Sequence, residues 1–205
     1  MPLADSIHAI GAVSAYLKSK LVSKTSASNV ELGRPEEIPT SNSFQFNLFL
    51  YQIDIDGQLR NQPLDEGQAM PVWLVLHYLL TAFDTTRESE TIAAHNLLGE
   101  GILALQTMNF IEPDLAALAD NPEPLKVTFD QADSELLSRI MQGSDEKYRL
   151  STAFQVRPVM LVPAIEPRYS LPVKTVGQPG AEGATVLPSL GPKLETISPE
   201  KFAAG

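Results

Sequence analysis

The chain contains no cysteine. It therefore has no disulfide framework, no thiol nucleophile and no Cys-type zinc site. It has only three histidines, His8, His77 and His95. None has an aspartate, a glutamate or a second histidine at metal-ligand spacing, so each reads as an ordinary packed or surface residue. No run of 18 apolar residues occurs, so no helix is expected to span a membrane. The opening Met1-Pro2-Leu3-Ala4-Asp5-Ser6 lacks a basic stretch followed by an apolar core. No secretory signal is expected there, and synthesis and folding are expected in the cytoplasm. G-x-S-x-G, H-E-x-x-H and P-loop patterns are also missing. Gly99-Glu100-Gly101 lacks a third glycine and falls inside a helical pattern, so it is a poor dinucleotide fingerprint.

Positive charge is scarce: 15 Lys and Arg against 25 Asp and Glu give a net charge of −10. Residues 163–205 carry four basic residues (Arg168, Lys174, Lys193, Lys201) and four acidic ones (Glu166, Glu182, Glu195, Glu200), so the whole imbalance sits in residues 1–162. An acidic body repels phosphate backbones and anionic lipid surfaces, which disfavours nucleic-acid binding. The hydrophobic fraction of 43% is ordinary. A body of about 160 residues buries roughly 70% of its unfolded surface, enough for one core without staples.

Ile7, Ile10, Val13 or Ser14, Leu17 and Leu21 recur at three- and four-residue steps, which predicts an amphipathic helix over 5–22 capped by Asp5 or Ser6. Val30 to Leu32 reads as a short strand. Phe44, Phe46, Leu48 and Leu50 alternate with Gln45, Asn47, Phe49 and Tyr51, which predicts a strand, extended through Ile53 and Ile55 to a turn at Asp56-Gly57. Its second face starts polar and ends aromatic, so deeper cover is expected toward Tyr51. Val72 to Phe83 is apolar on both parities, as in a central strand covered on both faces; its length also permits a buried helix, and the β-branched and aromatic residues at its start favour the strand. Thr85 with Glu88 resembles a capping box for a helix over about 87–108, with Ile92, His95, Leu98, Ile102 and Leu105 inward. Gly99 and Gly101 inside it imply close packing against a sheet. A short helix is expected over 114–119, a strand over 125–129, a helix over 133–141 and a strand from Leu150, which Pro158 pushes toward an edge or a bulge.

From Pro163 the texture changes. Seven of the 16 prolines and five of the 12 glycines fall in residues 163–205, and no long period survives. Such a segment cannot offset chain entropy alone. Two short β-prone islands stand out, residues 171–176 with Leu171, Val173 and Val176, and residues 184–190 with Val186, Leu187 and Leu190. The division is a body over 1–162 and an extended arm over 163–205, and these islands are expected to add as strands to a partner's sheet edge.

Few polar groups draw attention. Asp54 and Asp56 share a parity and form either a solvated turn or a cation or shared-proton pair; the calcium-loop pattern they open lacks its final glutamate. Arg60-Asn61, in the loop between two core strands, forms either a structural clamp on backbone carbonyls or a contact across a subunit interface. Arg149, at the start of the last long strand, poses the same alternatives.

The ordered words Asn47-Leu48-Phe49-Leu50-Tyr51, Leu59-Arg60-Asn61, Leu76 to Ala82 (LHYLLTA), Leu97 to Leu105 (LLGEGILAL), Leu125 to Phe129 (LKVTF) and Tyr148 to Val162 (YRLSTAFQVRPVMLV) resemble one family over roughly residues 5–162. It is the cap, or tail-terminator, family of phage-tail-like extracellular contractile injection systems. The resemblance implies an α/β (α+β) domain, a mixed and largely antiparallel sheet flanked by helices, followed by the arm. It also implies a homo-oligomer, a hexameric ring in that family's pattern, that ends the inner tube and docks the last sheath ring. Tube and sheath proteins are the partners it implies. No catalytic residue, cofactor or metal is expected, nor nucleic acid or membrane insertion, and the particle is either released or held at a membrane. Another baseplate or adaptor part of the same particle, or an enzyme with an unfamiliar site, are the rival readings.

Overall fold

The computed structural model describes residues 6–35, 39–59, 70–108, 116–119, 121, 123–131, 134–140, 149–163, 175–176 and 184–185. Met1–Pro167 and Arg168–Gly205 form two separate compact units. In the first unit, α1 spans Ala9–Lys24, β1 Asn29–Leu32, β2 Gln45–Ile55, β3 Val72–Phe83, α2 Ile92–Thr107, β4 Lys126–Asp130, α3 Ser134–Ile140 and β5 Ser151–Leu161, with a 3-10 turn at Ala116–Leu118. In the second, β6 (Thr175–Val176) pairs antiparallel with β7 (Ala184–Thr185). Each island of the arm thus contributes two residues of strand.

The first unit is built on a five-stranded sheet in the order β1-β2-β3-β5-β4. β1 runs parallel to β2, and the remaining pairs are antiparallel. This is the mixed, largely antiparallel α/β architecture expected from the sequence. β3 is central, as its two apolar parities require. Leu74, Leu76, Tyr78 and Leu80 face α1 and α2, joined by Phe46, Leu48, Phe154 and Val156. On the other face Leu79 packs with Ala153 and with Leu137 of α3, while Trp73 packs with Met160 and Val162.

Three local expectations are corrected, and one open alternative is resolved. Ser6 does not cap α1 with its side chain; its hydroxyl donates to the Val162 carbonyl at 3.1 Å and accepts the Val162 N–H, so it ties the chain start to the end of β5. β2 does not run into deeper cover. Gln45 and Asn47 are fully buried, while Gln52 through Ile55 are exposed. The buried amides hold loops: Gln45 Nε2 donates to the Ser41 carbonyl at 2.9 Å, and Asn47 Nδ2 to the Arg34 carbonyl at 3.0 Å. β5 is an interior strand, so Pro158 marks a bulge rather than an edge. Leu74 pairs Val159 and Leu76 pairs Val156, so Arg157 and Pro158 together oppose Val75. The β4 ladder already ends at Arg157, so the missing proline N–H costs no bond on that side.

The third correction concerns α2. Its N-cap is Thr91, whose hydroxyl accepts the Ala94 N–H at 3.2 Å, and not Thr85. Asp84 is the reason. Its buried carboxylate accepts the Thr86 N–H at 2.8 Å, the Thr86 hydroxyl at 2.6 Å, the Glu88 N–H at 3.1 Å and the Thr91 hydroxyl at 2.7 Å. Arg87 adopts φ 66°, a left-handed conformation that no helix can pass through. The inward stripe consequently differs from the expected one. Ala94, Leu97, Leu98, Gly101, Ala104 and Leu105 are buried, while Ile92 is 80% exposed and His95 points outward. Small residues on that stripe let α2 approach the sheet. A Cβ at Gly101 would stand 2.9 Å from Leu80 Cδ2 and 3.0 Å from the Phe46 ring, whereas nothing lies within 4 Å of one at Gly99.

The two glycines are therefore expected to respond oppositely. Gly99→Ala should stabilise by about 0.5–1 kcal/mol through helix propensity. Gly101→Val should destabilise by about 1–3 kcal/mol through overpacking. Urea denaturation of the two variants checks the contrast. Burial opposes ionisation of Asp84, but its donors, led by the Thr86 and Thr91 hydroxyls, hold the carboxyl at about 2, below its ordinary value. A carboxyl lowered on folding contributes stability that is full above its unfolded pKa and is lost as pH falls through the folded value. Asp84→Asn should cost about 1–3 kcal/mol at neutral pH. The gap to the natural chain should narrow as pH drops from about 4 to 2, read by denaturation at stepped pH.

Candidate functional site

The register of the sheet assembles a polar cluster that sequence spacing hides. His77 lies on β3, and its Nε2 stands 3.1 Å from Asp54 Oδ2 on β2. Its Nδ1 stands 3.0 Å from Asp130 Oδ2 on β4. Gln52 Nε2 donates to the same Asp54 oxygen at 2.8 Å, and the Tyr51 ring lies 5.9 Å from the imidazole. Burial raises the Tyr51 phenol above its ordinary pKa, with the Asp130 and Asp54 charges adding to the shift. The two carboxylates occupy opposite ring nitrogens, so they do not converge on a point as ligands of one ion would. A neutral imidazole has a single N–H and serves one carboxylate; the doubly protonated ring donates to both. The cluster straps β2, β3 and β4 together on one face.

Asp56 is neither a solvated turn residue nor a partner of Asp54. It is 4% exposed, accepts the Gln58 N–H at 3.0 Å and stands 3.7 Å from Arg157 Nη1. Among the described residues no group of three or more His, Cys, Asp or Glu is placed to hold a metal ion. Among them, too, no helix is long and apolar enough to cross a membrane.

Arg149 is 6% exposed. Its Nη1 donates to Ser89 Oγ at 3.3 Å, and its guanidinium lies 5.1 Å from the centre of the Phe83 ring. Within this chain it clamps the β3–α2 connection to the start of β5. Arg60, Asn61, Leu171, Val173, Val186, Leu187 and Leu190 lie outside the described residues, and Val176 is described only as backbone of β6.

Among the described residues the outer edge of β2 is open beyond β1. β1 pairs only with Gln45 to Leu48, and its last bond there is Gly33 N–H to the Leu48 carbonyl at 3.3 Å. The strand continues seven residues further, to Ile55. Asp56 N–H donates to the Trp73 carbonyl at 2.8 Å, which sets the phase of the β2–β3 ladder. Pairs Asp54/Val75 and Gln52/His77 are then the bonded ones, and the main-chain groups of Ile53 and Ile55 turn outward. Among the described residues no backbone group meets them. Their side chains oppose Leu76 and Leu74 on the helix side of the sheet, yet Ile53 is 45% and Ile55 59% exposed. A cavity of about 310 Å³ opens beside the end of β1, lined by Ser14, Leu32, Gly33, Arg34, Leu48, Phe49, Leu50 and Tyr78. Its floor is closed by the Ser14–Tyr78 hydroxyl pair at 2.8 Å, and burial pushes the Tyr78 phenol up to about 12. A larger depression of about 420 Å³ lies beside Glu100, whose carboxylate is already tied: it accepts the Ser26 N–H at 2.7 Å and the Ser26 hydroxyl at 2.6 Å.

Sequence reasoning missed the His77 cluster and the Asp84 loop because both depend on strand register and on one carboxylate outcompeting a helix start. The alternation of Gln52 and Asp54 with Ile53 and Ile55 was the only signal of an exposed edge.

The fold is shared with two structures solved by cryo-electron microscopy. One is described as the PVC sheath/tube terminator, in the extended state, of an extracellular contractile injection system; it matches with a TM-score of 0.56 at 19% identity, over 87% of this chain and 65% of that one. The other is described as the anti-feeding prophage cap, a tube-terminating cap; it matches with a TM-score of 0.56 at 18% identity, over 82% of this chain and 60% of that one. The chain thus spans less than two thirds of the length of either. No curated protein matches it. The family model for the Pvc16 N-terminal domain matches residues 10–175, most of the chain. The match covers every strand of the main sheet, and the chain belongs to the Pvc16 N-terminal domain family.

Proposed function

We propose that this protein is a structural cap of a contractile injection system, ending the inner tube and docking the last sheath ring. The observation that carries the reading is the family match over residues 10–175 together with a fold shared with two described terminators. The surface agrees with it. Ile53, Ile55, Met70 and Val72 cluster at one end of the sheet, each more than two fifths exposed. Apolar groups gathered in that way suit a surface that another subunit covers. The polar side chains that an enzyme would expose are engaged internally here: Asp84 organises a turn, Arg149 clamps a connection and His77 straps strands.

In this reading copies of residues 1–162 form a ring, hexameric by the resemblance, around the end of the tube. Residues 163–205 act as an arm, and the protein works without cofactor or catalysis. The particle that carries it is of the extracellular contractile type.

The test uses particles from the producing cells. Gold-labelled antibody against this chain should mark the end distal to the baseplate, and particles made without the chain should have tubes and sheaths of irregular length. Label at the baseplate end would reassign the protein to a baseplate or adaptor role. Particles of unchanged length and morphology without the chain would overturn the cap reading.

A further inference from the structure

We infer that the open edge of β2 is the receptor for the arm of a second copy of this chain, taken up as an added strand over residues 168–176. The inference rests on the reading that copies of the chain assemble side by side. The edge supplies what strand addition requires. Main-chain groups of Ile53 and Ile55 face outward in register, and main-chain bonds to such an edge provide affinity while alternate side chains provide selectivity. On the helix side the edge presents Ile53 and Ile55, and a cavity opens further back along the strand beside Leu50. On the opposite side it presents the half-exposed Asp54, backed by Asp130.

Residues 168–176 match both faces by parity. Leu171 and Val173 fall on one side of an extended strand; Arg168 and Lys174 fall on the other. With the apolar pair over Ile53 and Ile55, the two cations stand on the Asp54 side. The charge fits as well: residues 168–176 contain two basic residues and no acidic one, against a body that holds the chain's whole negative excess. Pro172 lies between Leu171 and Val173, so it turns its missing N–H away from β2, where an edge strand tolerates it. Thr175–Val176 is already strand, paired with Ala184–Thr185, and among the described residues its other edge is unpartnered. The 43 residues of 163–205 extend to at most about 150 Å, ample to reach a neighbouring subunit.

The cysteine-free sequence makes a direct test possible. Ile53→Cys and Val173→Cys are made as separate full-length variants with different tags, mixed and oxidised. The expected product is a disulfide-linked pair carrying both tags. Leu103→Cys, at a 68% exposed position on α2, serves as the control with Val173→Cys. The Ile53 pair should exceed the control pair severalfold, and Lys174→Glu on the arm variant should lower its yield by roughly fivefold. Equal yields for the two pairs, or a yield insensitive to Lys174→Glu, would overturn the inference. So would a double variant that closes within one chain while the mixed single variants stay unlinked, since the arm would then fold back on its own body. Val173→Cys capturing sheath subunits rather than a second copy would also overturn it. Distal labelling of particles without the mixed disulfide leaves the cap role standing and removes only this contact. A mixed disulfide in a protein missing from the particle end does the reverse.

Discussion

The constraint on which the molecule depends is that β3 must be covered on both faces. Its twelve residues are apolar on either parity, and an uncovered face would leave Leu76 and Leu80 on one side, or Trp73 and Leu79 on the other, in water. Burial of each such side chain is worth about 1.5–3 kcal/mol, so solvent exposure of a whole face outweighs any local preference in the chain. The antiparallel neighbours β2 and β5 close its two edges, α1 and α2 close one face, and α3 contributes to the other. Gly101 is a consequence: α2 sits so close to Phe46 and Leu80 that no side chain fits between.

Bringing these layers together traps polar groups, and the structure turns each into a tie. Ser6 joins the chain start to Val162, Gln45 and Asn47 anchor loops beside β2, Ser14 meets the Tyr78 hydroxyl beneath the apolar cavity, and Arg149 lies over Phe83. Buried polar groups are costly when unpaired, so each tie also specifies one arrangement of its neighbours. The surface left over is uneven. The helix side is closed over its centre, while the far end of β2 extends past β1 and keeps two isoleucines exposed. An open edge with apolar side chains is a liability in a free protein, and it is well placed in one that meets other subunits.

Much of the fold was legible in the sequence because period and parity report on cover directly. The strand at Val72 to Phe83, the alternation from Phe44 to Leu50, the α1 stripe from Val13 to Leu21 and the short strands β1 and β4 appear where their patterns place them, whereas α1 starts at Ala9 and leaves Ile7 69% exposed. The start of α2 was misread because Thr85 and Glu88 have the form of a capping box, yet Asp84 captures the same amides first and Arg87 takes a left-handed turn. The exposure of β2's far end was misread because Phe49 and Tyr51 look like deepening cover, while chain order says nothing of how few residues β1 would pair.

What the sequence by itself determined is the class of element at each stretch, the acidic body with its neutral proline-rich arm, and the family, since ordered words survive in one dimension. Only the tertiary structure decided which of those elements touch. Asp54, His77 and Asp130 lie 23 and 53 residues apart in the chain and become neighbours through strand register alone. A one-residue slip of that register would send their side chains to opposite faces, so the contact is a property of the sheet and not of any local stretch of the chain.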